Sequence, residues 1–182
     1  MIIVVGVAGS GKSTQSKLLA DTEGWCWISM GQLLRGTLGG ELRNEMNSGK
    51  LLDDSTVQTI LMKELATIVP KSNIILDGFP RRAIQAEWLL KTVQDIGTSI
   101  DAIVHLSAHE PIVLKRLLQR GRPDDKPDAI NERFLEYEHD IKPLLELFAR
   151  RGVPIVEVNG EQQPEAVQKD VRAGLAKAGV VL

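Results

Sequence analysis

The sequence predicts an α/β fold on a five-stranded parallel sheet, and three observations carry that reading. Short apolar runs alternate with longer stretches of helical periodicity along the 182 residues. The first run, residues 2–5, is an uninterrupted β-branched series, as expected of a strand buried on both faces. A glycine-rich segment follows it directly and leads into a helical pattern, the strand–loop–helix order of a crossover unit.

The elements are read in order as follows. Residues 25–28, 73–76, 102–106 and 155–158 supply the other four strands. Helical periodicity is read over 12–20, 31–46, 55–69, 83–96, 111–120, 131–151 and 164–177. Two of these stretches fall between the second and third strands, joined near Gly49, and predict a small helical insert. Residues 120–128, RGRPDDKPD, are rich in proline and charge with no apolar residue, and read first as a solvated loop. Pro143 is expected to end one helix and take the first position of the next. There is no internal repeat, low-complexity tract or interdomain linker, and 20.0 kDa is one domain's worth of chain.

Composition narrows the function classes. Hydrophobic residues make up 43% of the chain, a globular proportion. Lys plus Arg number 22 against 24 Asp plus Glu, a net charge of -2 that excludes a uniformly basic nucleic-acid coat but not a local basic site. Aromatic residues, at 4%, are too few for a single-strand stacking platform. Trp25, Trp27 and Trp88 read as core or rim residues. The one cysteine, Cys26, lies in an apolar run and reads as a buried structural thiol, with no internal disulfide and no cysteine zinc site. His105, His109 and His139 lack metal-ligand spacing. No apolar stretch approaches the ~18 residues of a membrane span, and the N-terminus shows neither a basic n-region nor a cleavage site. The expectation is a cytoplasmic protein without membrane or nucleic-acid partners.

Gly6-Val7-Ala8-Gly9-Ser10-Gly11-Lys12-Ser13 fits the phosphate-loop pattern GxxxxGK(S/T) at each fixed position. Its glycines let the backbone curl so that N–H groups face a polyphosphate, and the helix N-terminus adds its positive end. Lys12 would neutralise phosphate oxygens, and the Ser13 hydroxyl would face Mg²⁺ with Thr14 beside it. Asp77 closes the apolar run NIILD and would emerge at the carboxyl edge of the sheet as a second magnesium-side group. The competing reading of Asp77 is a turn or helix-capping residue. Arg116 and Arg120 are four apart on one helix and share a face.

Asp77-Gly78-Phe79-Pro80-Arg81-Arg82 with Gln85 resembles the adenylate kinase family and its nucleoside monophosphate kinase relatives. The resemblance extends over nearly the whole chain. It takes in 28–35 (ISMGQLLR) and 49–54 (GKLLDD), similar to the two halves of that family's monophosphate-binding insert. It also takes in Arg116, Arg120, Arg122, Asp124, Asp125 and Arg133, similar to the set around its lid. The resemblance implies a phosphate-loop NTPase-type core (1–29, 61–119 and 129–182), an insert at 30–60 and a short lid at 120–128. It implies ATP as donor, AMP as acceptor, Mg²⁺ as cofactor, no zinc, and a monomer.

Residue roles follow from the same resemblance. Gly9, Ser10, Gly11, Lys12, Ser13 and Thr14 would hold the donor phosphates, with Arg116 on the donor adenine near Gly160. Arg35 and Arg81 would grip the acceptor phosphate, and Arg120, Arg122 and Arg133 would neutralise the transferring group. Gly78, Phe79 and Pro80 would border the acceptor, Gln85 would hydrogen-bond its base, and the backbone of Lys50, Leu51 and Leu52 would face that base. Asp77 would hold Mg²⁺ through water. Lys12, Arg81, Arg120, Arg122 and Arg133 are the catalytic set. Met30 stands near the acceptor where threonine is usual, and Gln32 where aspartate is usual. That leaves open UMP or CMP as acceptor, and a nucleotide-binding sensor without turnover is the alternative of another class. Only Gly121 separates Arg120 from Arg122, a cap shorter than even short-lid relatives carry.

Overall fold

The structure is a computed structural model that describes residues 1–48, 52–68 and 73–182. Five strands form the sheet: β1 (Ile2–Gly6), β2 (Cys26–Ser29), β3 (Ile74–Asp77), β4 (Ala102–Ser107) and β5 (Ile155–Asn159). All pairs are parallel, in the order β2-β3-β1-β4-β5. The chain leaves β1, jumps over the place of β3 to form β2, and later crosses back past β1 to form β4. That reversal opens a crevice beyond the carboxyl ends of β1 and β3, where ligands bind in such sheets. Each predicted strand is found within a residue or two of its expected bounds.

Alternation along β1 shows why the sheet needs cover on both faces. Ile3 and Val5 join one apolar cluster, with Leu89 of α5 (Ala83–Asp95) and Leu144 and Phe148 of α7 (Pro127–Arg150). Ile2 and Val4 join the opposite one, with Leu19 of α1 (Lys12–Glu23) and Val167, Val171 and Leu175 of α8 (Pro164–Lys177). A third cluster, Val7, Val113, Leu117 and Ile130, seats α6 (Glu110–Arg120) against the start of α7 beside the first loop.

Between β2 and β3 lie α2 (Met30–Thr37), α3 (Gly40–Asn47) and α4 (Asp54–Leu65). The sequence predicts one helix over 31–46; the structure breaks it in two. Leu38 and Gly39 are extended (φ -75, ψ 141 and φ -132, ψ 174). Leu38 is only 5% exposed, so burying it turns the chain where Gly36, Gly39 and Gly40 make continued helix costly. Arg43 fastens the turn by donating to the Leu38 and Arg35 carbonyls, both at 2.9 Å. Gly49 and Val69, where an insert junction and a helix end are expected, lie outside the described residues.

Pro143 corrects a second expectation. It sits inside α7, which runs unbroken from Pro127 to Arg150. Pro143 and His139, whose carbonyl loses its helical partner, are both exposed while Leu144 and Phe148 are buried, so the missing bond falls on the solvent side of the helix, where it costs least. The helix starts at Pro127 rather than near 131, with the proline in the first turn, where a missing N–H costs nothing. Among the described residues, no helix is long and apolar enough to cross a membrane.

Candidate active site

The loop after β1 is shaped by its glycines. Gly11 takes φ 101 as the residue before α1, and a Cβ at Gly6 would meet the Leu106 carbonyl oxygen at 2.3 Å. The Ser10 N–H bonds back to the Val7 carbonyl at 3.1 Å, closing the curl. Lys12 Nζ lies in the loop and donates to the Gly6 and Val7 carbonyls, each at 2.7 Å. Burial pushes this ammonium down to about 8; Asp77 opposes that, and Arg81, Arg120 and Arg133 add to it. A lysine so placed is starved of negative charge, which a polyphosphate supplies.

Asp77 ends β3 at the register of Val4 in β1 and Ser29 in β2. Its Oδ2 accepts from Ser13 Oγ at 2.5 Å and from Ser29 Oγ at 3.2 Å. Its Oδ1 is buried with no hydrogen-bond partner among the described residues. A buried carboxylate oxygen with spare capacity beside a serine hydroxyl is the donor chemistry of a hard divalent cation. The capping reading of Asp77 does not hold, because its carboxylate bonds two serine side chains.

Facing the loop across one cavity of about 580 Å³ stand Arg35 (α2), Arg81 (after β3), Arg116 and Arg120 (α6), Arg122 (between α6 and α7) and Arg133 (α7). Burial lowers the Arg81 and Arg35 pKa values, helped by Arg133 at the first and Arg122 at the second. Two acids answer part of this charge. Asp125 accepts from Arg120 Nε at 2.8 Å and Nη2 at 2.6 Å, and from the Arg122 N–H at 3.0 Å. Burial pushes the Asp125 carboxyl up, but these donors outweigh it and the pKa is lowered. Asp124 accepts from Arg133 Nη1 at 3.0 Å, and its carbonyl accepts from Arg133 Nη2. The stretch whose composition alone reads as a solvated loop thus buries both aspartates, at 6% and 7% exposure, because they pair with arginines.

Arg116 Nη1 and Nη2 donate to the Gly160 and Glu161 carbonyls at 2.7 and 3.0 Å, binding α6 to the loop after β5. The Glu161 carboxylate reaches back to the His109 N–H and ring Nδ1, both at 2.7 Å. His105, read as structural, bridges Glu157 and the Tyr137 hydroxyl at 2.6 Å each and ties α7 to the sheet beside the cavity.

A smaller cavity of about 60 Å³ adjoins the first, with Arg35, Gly78, Arg81 and Arg133 common to both. Met30, Leu52, Phe79 and Gln85 also line it, and Pro80 borders the larger one. The two cavities together bring in each sequence-predicted site residue except Lys50 and Leu51, which lie outside the described residues. Sequence reasoning missed Ser29, Asp54, Tyr137 and Glu161. Ser29 and Asp54 lie in the segments 28–35 and 49–54 that carry the resemblance, and Ser29 also closes a strand at the same sheet edge as Asp77, but no site role was read for either.

A phosphate loop, a spare carboxylate and six arginines on one cavity define a nucleoside-phosphate-handling α/β protein. A model of the family described as adenylate kinase matches residues 4–153. The chain is 34% identical over 180 residues to an adenylate kinase of Prochlorococcus marinus (strain MIT 9211), covering 96% of each chain. It is 35% identical over 180 residues to adenylate kinase 1 of Nostoc sp. (strain PCC 7120), covering 96% of this chain and 97% of the relative. It is also 35% identical over 188 residues to an adenylate kinase of Maricaulis maris, covering 97% of each. The chain belongs to the adenylate kinase family and is a phosphotransferase.

Proposed function

We propose that this chain catalyses the reversible transfer of the γ-phosphoryl group of ATP to AMP, giving two ADP, with Mg²⁺ as cofactor. The observation that carries the reading is the single cavity on which the phosphate loop and six arginines converge. Two nucleotides bring many phosphate charges together, and only a site so rich in cations holds them close enough to react.

The donor triphosphate lies along the backbone N–H groups of residues 9–14, with Lys12 exchanging two carbonyl partners for phosphate oxygens. Arg116 and Gly160 mark the donor base. Arg35 and Arg81 hold the AMP phosphate. An anionic oxygen of that phosphate attacks the γ-phosphorus, the bond to the β–γ bridging oxygen breaks, and the electron pair leaves with ADP. No general base is needed, because the attacking oxygen is already anionic at neutral pH. Arg120, Arg122 and Arg133 neutralise the transferring group. Asp77 Oδ1 and Ser13 fit a magnesium ion, which when bound offsets phosphate charge and orients the donor. Gln85 contacts the acceptor base from the smaller cavity.

A ³¹P NMR time course with MgATP and each of AMP, UMP, CMP and GMP tests the assignment. ADP formation with AMP supports it. Turnover confined to a pyrimidine monophosphate keeps the machinery and overturns the acceptor, with Met30 the first residue to change.

A further inference from the structure

We propose that Asp54 determines acceptor specificity by locking the Gln85 amide in one polarity, so that the pocket distinguishes a 6-aminopurine from a 6-oxopurine. The proposal rests on Gln85 being the acceptor-base contact.

Gln85 is 2% exposed, so its amide must be satisfied by named partners. Its Oε1 accepts from the Arg81 backbone N–H at 2.8 Å, and its Nε2 donates to Asp54 Oδ1 at 2.7 Å. The same Asp54 oxygen accepts from Arg82 Nη2 at 2.6 Å. Arg82 is fixed in turn by donating to the Leu52 carbonyl at 3.1 Å. A backbone N–H can only donate and a carboxylate can only accept. Turning the amide over would set N–H against N–H and oxygen against carboxylate, replacing two hydrogen bonds by two repulsive contacts in a buried site. The amide therefore offers its spare N–H and its spare oxygen lone pair at fixed places.

The purine edge has the complementary property. Adenine presents a ring-nitrogen acceptor beside a 6-amino donor, whereas hypoxanthine presents a ring N–H donor beside a 6-oxo acceptor. The two edges have opposite polarity in the same space. A glutamine free to turn could meet either, but a locked one meets one. An asparagine or serine at 54 can donate as well as accept, so it removes one of the two contacts that oppose the turned amide and leaves only the Arg81 N–H against it.

The test measures kcat/KM for AMP and for IMP with saturating MgATP on the full chain, its Asp54→Asn and Asp54→Ser variants, and Gln85→Met. The readout is the AMP/IMP ratio, which is unaffected by loss of folded enzyme because both acceptors use the same molecules. The wild-type chain is expected to favour AMP, and each Asp54 variant to lower the ratio by at least about tenfold, the scale of one mispaired buried hydrogen bond. A ratio preserved in both Asp54 variants but lost in Gln85→Met overturns the lock and leaves Gln85 as the base contact. A ratio preserved in all three overturns both readings, and a wild-type ratio near one overturns the lock.

Discussion

Replacing Gly160 by alanine is the sharpest perturbation of the donor side. A Cβ at Gly160 would lie 2.5 Å from the Ser10 carbonyl oxygen and 3.1 Å from that of Ser107. Both are backbone atoms, so no side chain can swing aside. Relieving the first contact even to 3.0 Å requires a shift of 3.0 − 2.5 = 0.5 Å between the loop after β5 and the phosphate loop. The Gly160 N–H bond to the Ser107 carbonyl, now 2.8 Å, resists that movement. Overpacking of this kind costs about 1–3 kcal/mol. At roughly 2–4 °C per kcal/mol for a chain of this length, Tm falls by about 2–12 °C. The displaced carbonyl belongs to the phosphate loop itself, so KM for ATP should rise by about tenfold or more while KM for AMP changes little. Thermal unfolding together with initial rates at varied ATP and varied AMP reads both effects. An unchanged Tm with an unchanged ATP KM would refute the reasoning.

Other expectations follow from the same geometry. Lys12 titrates near 8 in the free protein, so kcat/KM for ATP should fall as pH rises through that value, and a rate–pH profile flat from 7 to 9.5 contradicts it. Because this lysine's pKa is lowered on folding, the ligand-free protein should gain stability as pH rises from about 8 to 10.5. Urea titrations of Lys12→Met, compared with wild type, should show that gain abolished. Asp125→Ala strips Arg120 of both its carboxylate bonds and should cost about 1–3 kcal/mol, discounted for the partial exposure of Arg120. A urea midpoint equal to wild type would show that the pair holds nothing. On the reading of residues 120–128 as a short lid, water should reach the transferring group, so slow phosphate release from ATP without acceptor is expected; a rate equal to an enzyme-free blank ends that idea.

The fold was legible because its signals are local. β1 and the phosphate loop are adjacent in sequence and depend on one another, and each strand is a short apolar run with a helix behind it. The misses came where tertiary burial overrode local pattern. Leu38 is drawn into the core and splits a helix, whereas Pro143, on the water side of α7, fails to split one. The site's cations were readable because six arginines cannot all be idle. Asp124 and Asp125 entered the set through the resemblance, since their composition alone reads as solvated loop, and which arginine each one pairs with is decided by the fold, Asp124 with Arg133 and Asp125 with Arg120. Asp54 and Gln85 are 31 apart in sequence, and no spacing rule links them.

The most direct test of the central claim follows the phosphoryl group itself. ATP labelled in its γ-phosphate is mixed with AMP, Mg²⁺ and either the wild-type chain or Lys12→Ala, and the label is traced. Transfer into the β-phosphate of newly formed ADP, with two ADP per ATP consumed and loss of transfer in the variant, is the predicted result. ATP that binds the wild-type chain while its label stays in ATP, or leaves only as inorganic phosphate, would contradict it.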